Sequence, residues 1–208
     1  MSNEPDDDPE TRLVRAVAEI GRVTRGRPRV GVSHDDADDV HGTIATDDAI
    51  GFDPFPILRA FSERGARVVV MGQVAGILHG STELTGDLDL LWDGDPSQAP
   101  MLASAFTSVQ AALTDQDGKA VPLASESFLL PKVFFRTPSA SGDCCAPTLP
   151  WGALNVLRII DRAALVRCGD GTEIRYVSGD DLLTMRRAVN RPKDVRRAQE
   201  LEQLLAAR

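Results

Sequence analysis

The sequence predicts an α/β fold, and three observations carry that prediction. A β-branched run, Val68, Val69 and Val70, ends at Gly72 and is followed by a short apolar segment of helical spacing. A second strand then begins with Asp87 and Asp89 on alternate positions, so both side chains leave one face while Leu88, Leu90 and Leu91 mostly serve the core. Segments with apolar residues three and four apart alternate with these strands on either side. Strand, tight turn, helix and strand in that order gather polar groups at one end of a sheet.

Residues 1–50 differ from the rest. Asp6, Asp7 and Asp8 open them, residues 11–22 fit one amphipathic helix with Leu13, Val14, Val17 and Ile20 on its apolar side, and Asp35, Asp36, Asp38 and Asp39 follow. We read this stretch as an acidic, flexible segment and residues 51–208 as the domain. His34 and His41 around the four aspartates suggest a metal site as the alternative, but without a fixed frame such clusters seldom bind tightly.

Within the domain, Asp53 and Pro54 mark a helix start. Ile57, Leu58 and Phe61 share its buried face, and Gly65 ends it ahead of a strand over 66–71. After the second strand, 92–96 is a loop and 97–114 a helix carrying Leu102, Phe106, Val109 and Leu113. Asp117-Gly118 turns the chain. Strands are expected over 132–137 and 153–160, with 138–151 a flexible Pro-, Ser- and Gly-rich insertion between them. Residues 165–167 and 172–177 flank Gly169-Asp170-Gly171 as a hairpin. Ser178 with Asp181 caps a helix over 180–189, and Pro192 opens the last helix, with Leu201, Leu204 and Leu205.

Composition narrows the function classes. The 208 residues are 42% hydrophobic, enough for a core, and carry a formal charge of −8, which argues against non-specific nucleic-acid coating because that binding needs Lys and Arg to neutralise phosphates. No apolar run approaches the ~18 residues of a membrane span, and the acidic start lacks the basic-then-apolar order of a signal peptide. A cytoplasmic location and no membrane partner are expected. Three cysteines, Cys144 and Cys145 adjacent and Cys168 alone, make neither a disulfide framework nor a zinc pattern; the adjacent pair reads as spare thiols.

The chemistry concentrates at Asp87 and Asp89. Two neighbouring carboxylates repel each other, and a hard divalent cation, Mg²⁺ or Mn²⁺, relieves the repulsion while also taking substrate phosphates as ligands. Gly72 and Gln73, between strand and helix, offer backbone N–H groups to an anion. The two features together suit a metal-bound nucleoside triphosphate.

At these residues the chain resembles the polymerase-β-like nucleotidyltransferase superfamily, whose signature is a strand ending in Gly-Gly or Gly-Ser, a short helix and an Asp-x-Asp strand. Gly72, Leu78-His79-Gly80 and Thr85-Gly86-Asp87-Leu88-Asp89 are most similar to the branch containing the toxins of abortive-infection (type IV toxin-antitoxin) systems. Arg191-Pro192-Lys193-Asp194 resembles that branch's closing helix, and the likeness covers residues from about Phe52 to the C-terminus. It implies a nucleotidyltransferase fold: a short mixed sheet, helices packed on one side of it, and a C-terminal helical pair. It also implies transfer of a nucleotidyl group from an NTP to a hydroxyl on RNA or protein, with Asp87 and Asp89 holding metal and Gly72, Gln73, His79, Thr85 and Lys193 around the nucleotide. A cognate toxin or antitoxin is an implied partner.

Superfamily enzymes use a third carboxylate, on a strand after the long middle helix, and alignment of the branch's Gly-x-Leu-Asp-x-Leu segment puts Asn155 there. An amide offers Mg²⁺ an oxygen but cannot act as a base. Asp161 and Glu173 are alternative replacements. Gln73 stands where the branch has Gly or Ser. Glu83 stands where it often has Arg, and a carboxylate near a triphosphate would repel it. His79 either contacts phosphate or caps its helix; Lys193 and Asp194 either pair at a helix junction or contact the nucleotide. These departures support a second reading, a protein that kept the fold for binding a nucleotide or a partner and lost the reaction.

Overall fold

Three consecutive valines have no polar face, so the strand they form needs cover on both sides, and β1 (Val68–Val70) has it. The computed structural model describes residues 8–32, 42–147 and 154–207. The architecture is mixed α/β, with β1 inside an eight-stranded sheet. In chain order come α1 (Pro9–Val23), α2 (Phe55–Arg64), β1, α3 (Gly72–Leu78), β2 (Leu88–Trp92), α4 (Ala99–Ser108), β3 (Ala112–Thr114), β4 (Ala120–Val121), β5 (Lys132–Arg136) and β6 (Ser141–Cys145). Then follow α5 (Val156–Asp161), β7 (Ala164–Arg167), β8 (Glu173–Tyr176), α6 (Gly179–Val189) and α7 (Pro192–Ala206). Across the sheet the order is β4-β3-β5-β6-β2-β1-β8-β7. The β2–β6 and β1–β8 pairs are parallel and the others antiparallel.

Alternation along the strands assigns the two faces. Phe135 faces the same way as Cys144, Leu88 and Leu90, and its ring lies 5.1 Å from that of Phe106 on α4, which in turn meets Phe61 on α2 edge to face at 5.2 Å. Helices α2 and α4 therefore cover that face. Asp89 is on the other, where α3 begins against it. Helices lie on both sides of the sheet, where one side was expected, and the C-terminal helical pair is α6 against α7. Among the described residues no helix is long and apolar enough to cross a membrane.

Three elements within residues 51–208 also depart from the expectations. The helix predicted over 97–114 stops at Ser108, Gln110 takes a positive φ of 56°, and residues 112–114 form β3 instead. Short apolar runs fit both periods, and pairing of Leu113 with Phe135 settles the choice. The expected flexible insertion contains β6, which pairs with β5 on one side and β2 on the other. Thr137 and Ala140 close the tight turn between β5 and β6, through Thr137 N to Ala140 O at 2.7 Å. The strand expected over 153–160 is α5, capped by Asn155.

The segment before residue 51 is part of the folded unit over the residues described. Leu13, Ala16 and Ile20 of α1 enter the core, and the Arg12 guanidinium donates to Leu78 O at 3.1 Å at the end of α3. Arg27 donates to Ile44 O at 2.7 Å, and Asp47 accepts from Gly31 N at 2.8 Å, tying residues 27–31 to 44–47. High charge therefore did not prevent docking, because α1 gathers its apolar residues on one stripe. The proposed His34 and His41 metal site lies outside the described residues.

The docking has a measurable consequence. Leu13→Ala should destabilise the chain by about 2–5 kcal/mol. Val14→Ala, at a position 49% exposed, should change stability by less than about 0.5 kcal/mol. Urea unfolding of both variants checks this; a loss at Leu13 no larger than at Val14 would mean that α1 is not docked in solution.

Candidate active site

Strand register brings the acidic residues together. In the β2–β6 pair Asp89 stands opposite Asp143, in β6–β5 Asp143 stands opposite Phe134, and in β5–β3 Phe134 stands opposite Thr114. One row of side chains thus crosses four strands on the face that α2 and α4 leave free. Asp87 precedes β2 by one residue and lies two positions from Asp89, on the same side. The third carboxylate beside Asp87 and Asp89 is therefore Asp143. Asn155 is exposed on the surface, where its side chain accepts from Arg158 N at 3.0 Å as the cap of α5. Asp161 and Glu173 are also peripheral, paired with Arg67 and Arg167.

Asp143 was hidden in the sequence by its surroundings. Gly142 and the two cysteines carry little strand signal, and Pro, Ser and Gly on both sides read as loop. The available signal was Arg136 and Ser141 with four residues between them, the spacing of a tight hairpin back from a clearly patterned strand. Gly142 itself has a structural reason, since a Cβ there would lie 1.9 Å from Leu88 O in the neighbouring strand.

Each carboxylate is held differently. Asp87 is buried, and its Oδ1 accepts from the Thr43 hydroxyl at 2.7 Å and from the Thr85 hydroxyl. Thr85, expected at the nucleotide, orients Asp87 instead. Thr43, from the segment read as a tail, was missed. Asp143 pairs with the Lys132 ammonium at 2.5 Å, and Cys145 Sγ donates to its other oxygen at 3.3 Å. Asp89 lies over Gly72, whose φ is 62°. A Cβ on Gly72 would come within 1.8 Å of Asp89 Oδ2, so the glycine at this turn makes room for the carboxylate.

The crowding shows in the titration of Asp89. Burial, and then the like charges of Asp87 and Asp143, push its carboxyl well above the ordinary carboxylate range, against a smaller opposing pull from Lys132 and Arg197. Lys132 is raised; burial disfavours its charge, but Asp143 more than compensates. Burial likewise raises the thiols of Cys144 and Cys145, which point to opposite faces of β6 and are both free. That makes them poorly reactive, in keeping with spare thiols.

A cavity of about 260 Å³ opens between the carboxylates and the helical pair. Arg186, Arg191, Lys193 and Arg197 line its helical side, and Asp87, Asp89 and Asp143 its strand side. Arg186 is buried yet pairs with no carboxylate among the described residues; it donates to Arg197 O at 2.7 Å and Gln73 Oε1 at 2.8 Å. Burial, then the neighbouring Arg197 charge, brings its pKa down to about 10. Arg191 pairs with Asp194 at 2.7 Å in a capping box at the start of α7. Lys193, 9% exposed, has no hydrogen bond or ion pair among the described residues. It and Gly72 are the expected nucleotide residues that line this cavity with side chain or backbone free to face it.

The remaining expectations resolve as follows. Gln73 lines the cavity, but its amide is committed: Nε2 donates to Ser81 Oγ at 2.9 Å and Glu83 O at 2.8 Å, while Oε1 holds Arg186. Gly76 provides the space for that contact, since a Cβ there would lie 2.4 Å from Arg186 Nη2. His79 is buried away from the cavity, with Nε2 2.8 Å from Val177 O and its ring 5.0 Å from Tyr176. Glu83 does not stand against the cavity; it pairs with Arg197 at 2.7 Å and Arg196 at 3.2 Å, so it tethers α7. A second cavity, of about 450 Å³, reaches the same three carboxylates from the β3–β5 side.

No protein-family model matches the chain, and no curated protein matches it.

The raised Asp89 carboxyl predicts how metal-free protein responds to pH. An unfolded aspartate releases its proton near pH 4, whereas the folded chain keeps this one to higher pH, so folding binds a proton in between. Stability in EDTA should therefore fall as pH rises from about 4 through the folded pKa. Asp89→Asn should remove that decline. Urea melts between pH 4 and 8 test it, and an equal slope in wild type and variant would show that Asp89 is not the strained group.

Proposed function

We propose that the chain is a metal-dependent nucleotidyltransferase. The observation that carries this reading is a pair of cavities meeting at Asp87, Asp89 and Asp143, one of them walled by Arg186, Arg191, Lys193 and Arg197. A buried ammonium and a buried guanidinium that, among the described residues, meet respectively no partner and only neutral acceptors are costly unless an anion joins them. A triphosphate supplies that anion. Lys193 and Arg186 would bind its phosphates and place the α-phosphate toward the carboxylates.

The residues present fit a divalent cation. Asp87 and Asp89 leave one side of the chain entering β2, and burial, then repulsion from Asp87 and Asp143, raises Asp89, a cost that a cation would offset. Among the described residues no group of three His, Cys, Asp or Glu side chains is placed to hold a metal ion together; Mg²⁺ ordinarily takes one or two carboxylates and completes its shell with water and substrate phosphates. When bound, the ion neutralises charge on the phosphate oxygens. The chain's own groups do the rest. The acceptor hydroxyl attacks the α-phosphorus, pyrophosphate leaves with the electron pair of the broken bond, and Asp143, which faces both cavities, takes the hydroxyl proton. Asp143 thus fills the place that Asn155 could not.

Incubation with Mg²⁺ or Mn²⁺, each α-labelled nucleoside triphosphate and a cell lysate tests the reading. Label transfer should appear and fall by about 10²–10⁴-fold in Asp143→Asn, the usual contribution of a general base. Lys193→Met should weaken nucleotide binding by about 10-fold or more, the worth of one charged hydrogen bond. Stabilisation by metal and nucleotide without transfer would favour the retired-enzyme reading. Absence of both transfer and any melting shift at millimolar nucleotide would sink the proposal.

A further inference from the structure

Among the described residues that line the first cavity, one cation comes from the sheet rather than from the helical pair. Lys132 of β5 lines it together with Asp87, Asp89 and Asp143. Alternation along β5 puts Lys132 on the face of Phe134, and Phe134 stands opposite Asp143. The ammonium therefore reaches diagonally across the β5–β6 pair to Asp143 Oδ2, at 2.5 Å, and lies 4.6 Å from the centre of the Phe134 ring. With its side chain 24% exposed, it is held within the row of carboxylates rather than in solvent.

The charge of this group is fixed. Burial opposes it, but Asp143, helped by Cys145 and Asp89, more than compensates, and Lys132 stays an ammonium. Against the burial and like charges that raise Asp89, Lys132 is the first opposing pull and Arg197 the second. Asp143 has both oxygens engaged, Oδ2 by Lys132 and Oδ1 by the Cys145 thiol at 3.3 Å. A second divalent ion on Asp143 would have to displace the ammonium or stand beside it against like charge. Charge counting points the same way. One divalent ion and one ammonium balance the three carboxylates, which leaves the cations of the helical side for the phosphates.

We infer that Lys132 takes the place of a second metal ion: the site works with a single divalent cation, on Asp87 and Asp89, and the Lys132 ammonium supplies the other positive charge at the reacting phosphate. This rests on the nucleotidyltransferase reading of the carboxylates. The ammonium stays protonated throughout. As the acceptor oxygen bonds to the α-phosphorus, Lys132 stabilises the charge that builds on the α-phosphate oxygens. The bond to the bridging oxygen breaks, and pyrophosphate leaves with the electron pair. The hydroxyl proton passes to Asp143 Oδ1, which the thiol, a weak donor, leaves able to accept it.

Counting bound ions tests this without reference to turnover. The full chain and an α,β-methylene nucleoside triphosphate, at equal concentrations, are titrated with Mn²⁺ while the free ion is followed by electron paramagnetic resonance. Wild type should bind one ion per nucleotide complex. Lys132→Met, which releases Asp143, should bind two, and Lys132→Arg, which keeps a charge there, one. In the labelled-transfer assay Lys132→Met should lose about 10²–10³-fold where only one ion is bound, the usual cost of removing one preorganised donor. It should regain part of that loss as the second ion binds. Far-UV circular dichroism checks that each variant folds, and the wild-type count stands whichever variant fails. Two ions in wild type would overturn the inference. So would a Lys132→Met chain that stays at one ion, because the ammonium would then have no second-ion position to fill, or one whose transfer is unchanged. Wild type that binds no ion with the nucleotide would sink the reading of the carboxylates itself, a failure distinct from a wrong count.

Discussion

Repulsion among Asp87, Asp89 and Asp143 is the constraint around which the remaining features make sense. Two such charges ~4 Å apart interact by roughly 4 kcal/mol at an effective dielectric near 20, and here three converge at the base of a pocket. Parallel pairing of β2 with β6 enforces the approach, because sliding the register by one residue would turn Asp143 into the core. The fold answers the repulsion locally, with Lys132 against Asp143 and the Thr43 and Thr85 hydroxyls on Asp87. Asp89 receives no comparable partner among the described residues, and its ionisation is opposed by burial and by both neighbouring carboxylates. A site that concentrates its unrelieved charge on one carboxylate is one whose strain a cation would relieve.

The opposite imbalance sits a few residues away in space. Arg186, Lys193 and Arg197 are drawn into the junction of α6 and α7, where α7 begins with Pro192 and the Arg191–Asp194 capping box. Glu83 answers Arg197, and the Gln73 amide fixes Arg186 without neutralising it. The cationic side chains of the helical pair and the carboxylates of the strands line opposite sides of one cavity, with Gln73 between Arg186 and the turn at Ser81 and Glu83. Space between opposed charges, held open by neutral hydrogen bonds, is what a metal-bound polyphosphate can bridge.

Much of this was legible in the sequence wherever one pattern dominated. The Val68–Val70 strand, the Asp87 and Asp89 alternation, the Gly65 helix stop and the Ser178 cap each rest on local chemistry, and each element formed where expected. What failed to show was long-range. Asp143 belongs to a strand whose own residues barely favour β structure; it exists because β2 and β5 both offer it unpaired edges. Asn155 was chosen by alignment to a motif, and lies at the surface because residues 156–161 favoured a helix once β6 had taken the place beside β2. Glu83 and Gln73 looked like obstacles to phosphate because their partners, Arg197 and Arg186, are more than a hundred residues away in sequence.

The segment before residue 51 carries the same lesson into function. Its net charge suggested a solvated tail, but Thr43 reaches Asp87 and Asp48 reaches Arg136, so both cavities borrow a wall from it. Gly86 is pressed against Thr43 O and Ala49, where a Cβ would come within 2.6 Å of either, so the turn leading into β2 is shaped by this segment as much as by the sheet. Charge composition predicts solvation only when no stripe of apolar residues offers an alternative, and Leu13, Ala16 and Ile20 offer one. With α1 anchored on α3, residues 42–49 lie beside the carboxylates. Thr43 and Asp48 then act as parts of the site rather than as surface groups. The acidic character of the second cavity is thus inherited in part from the stretch that, by composition alone, looked least structured.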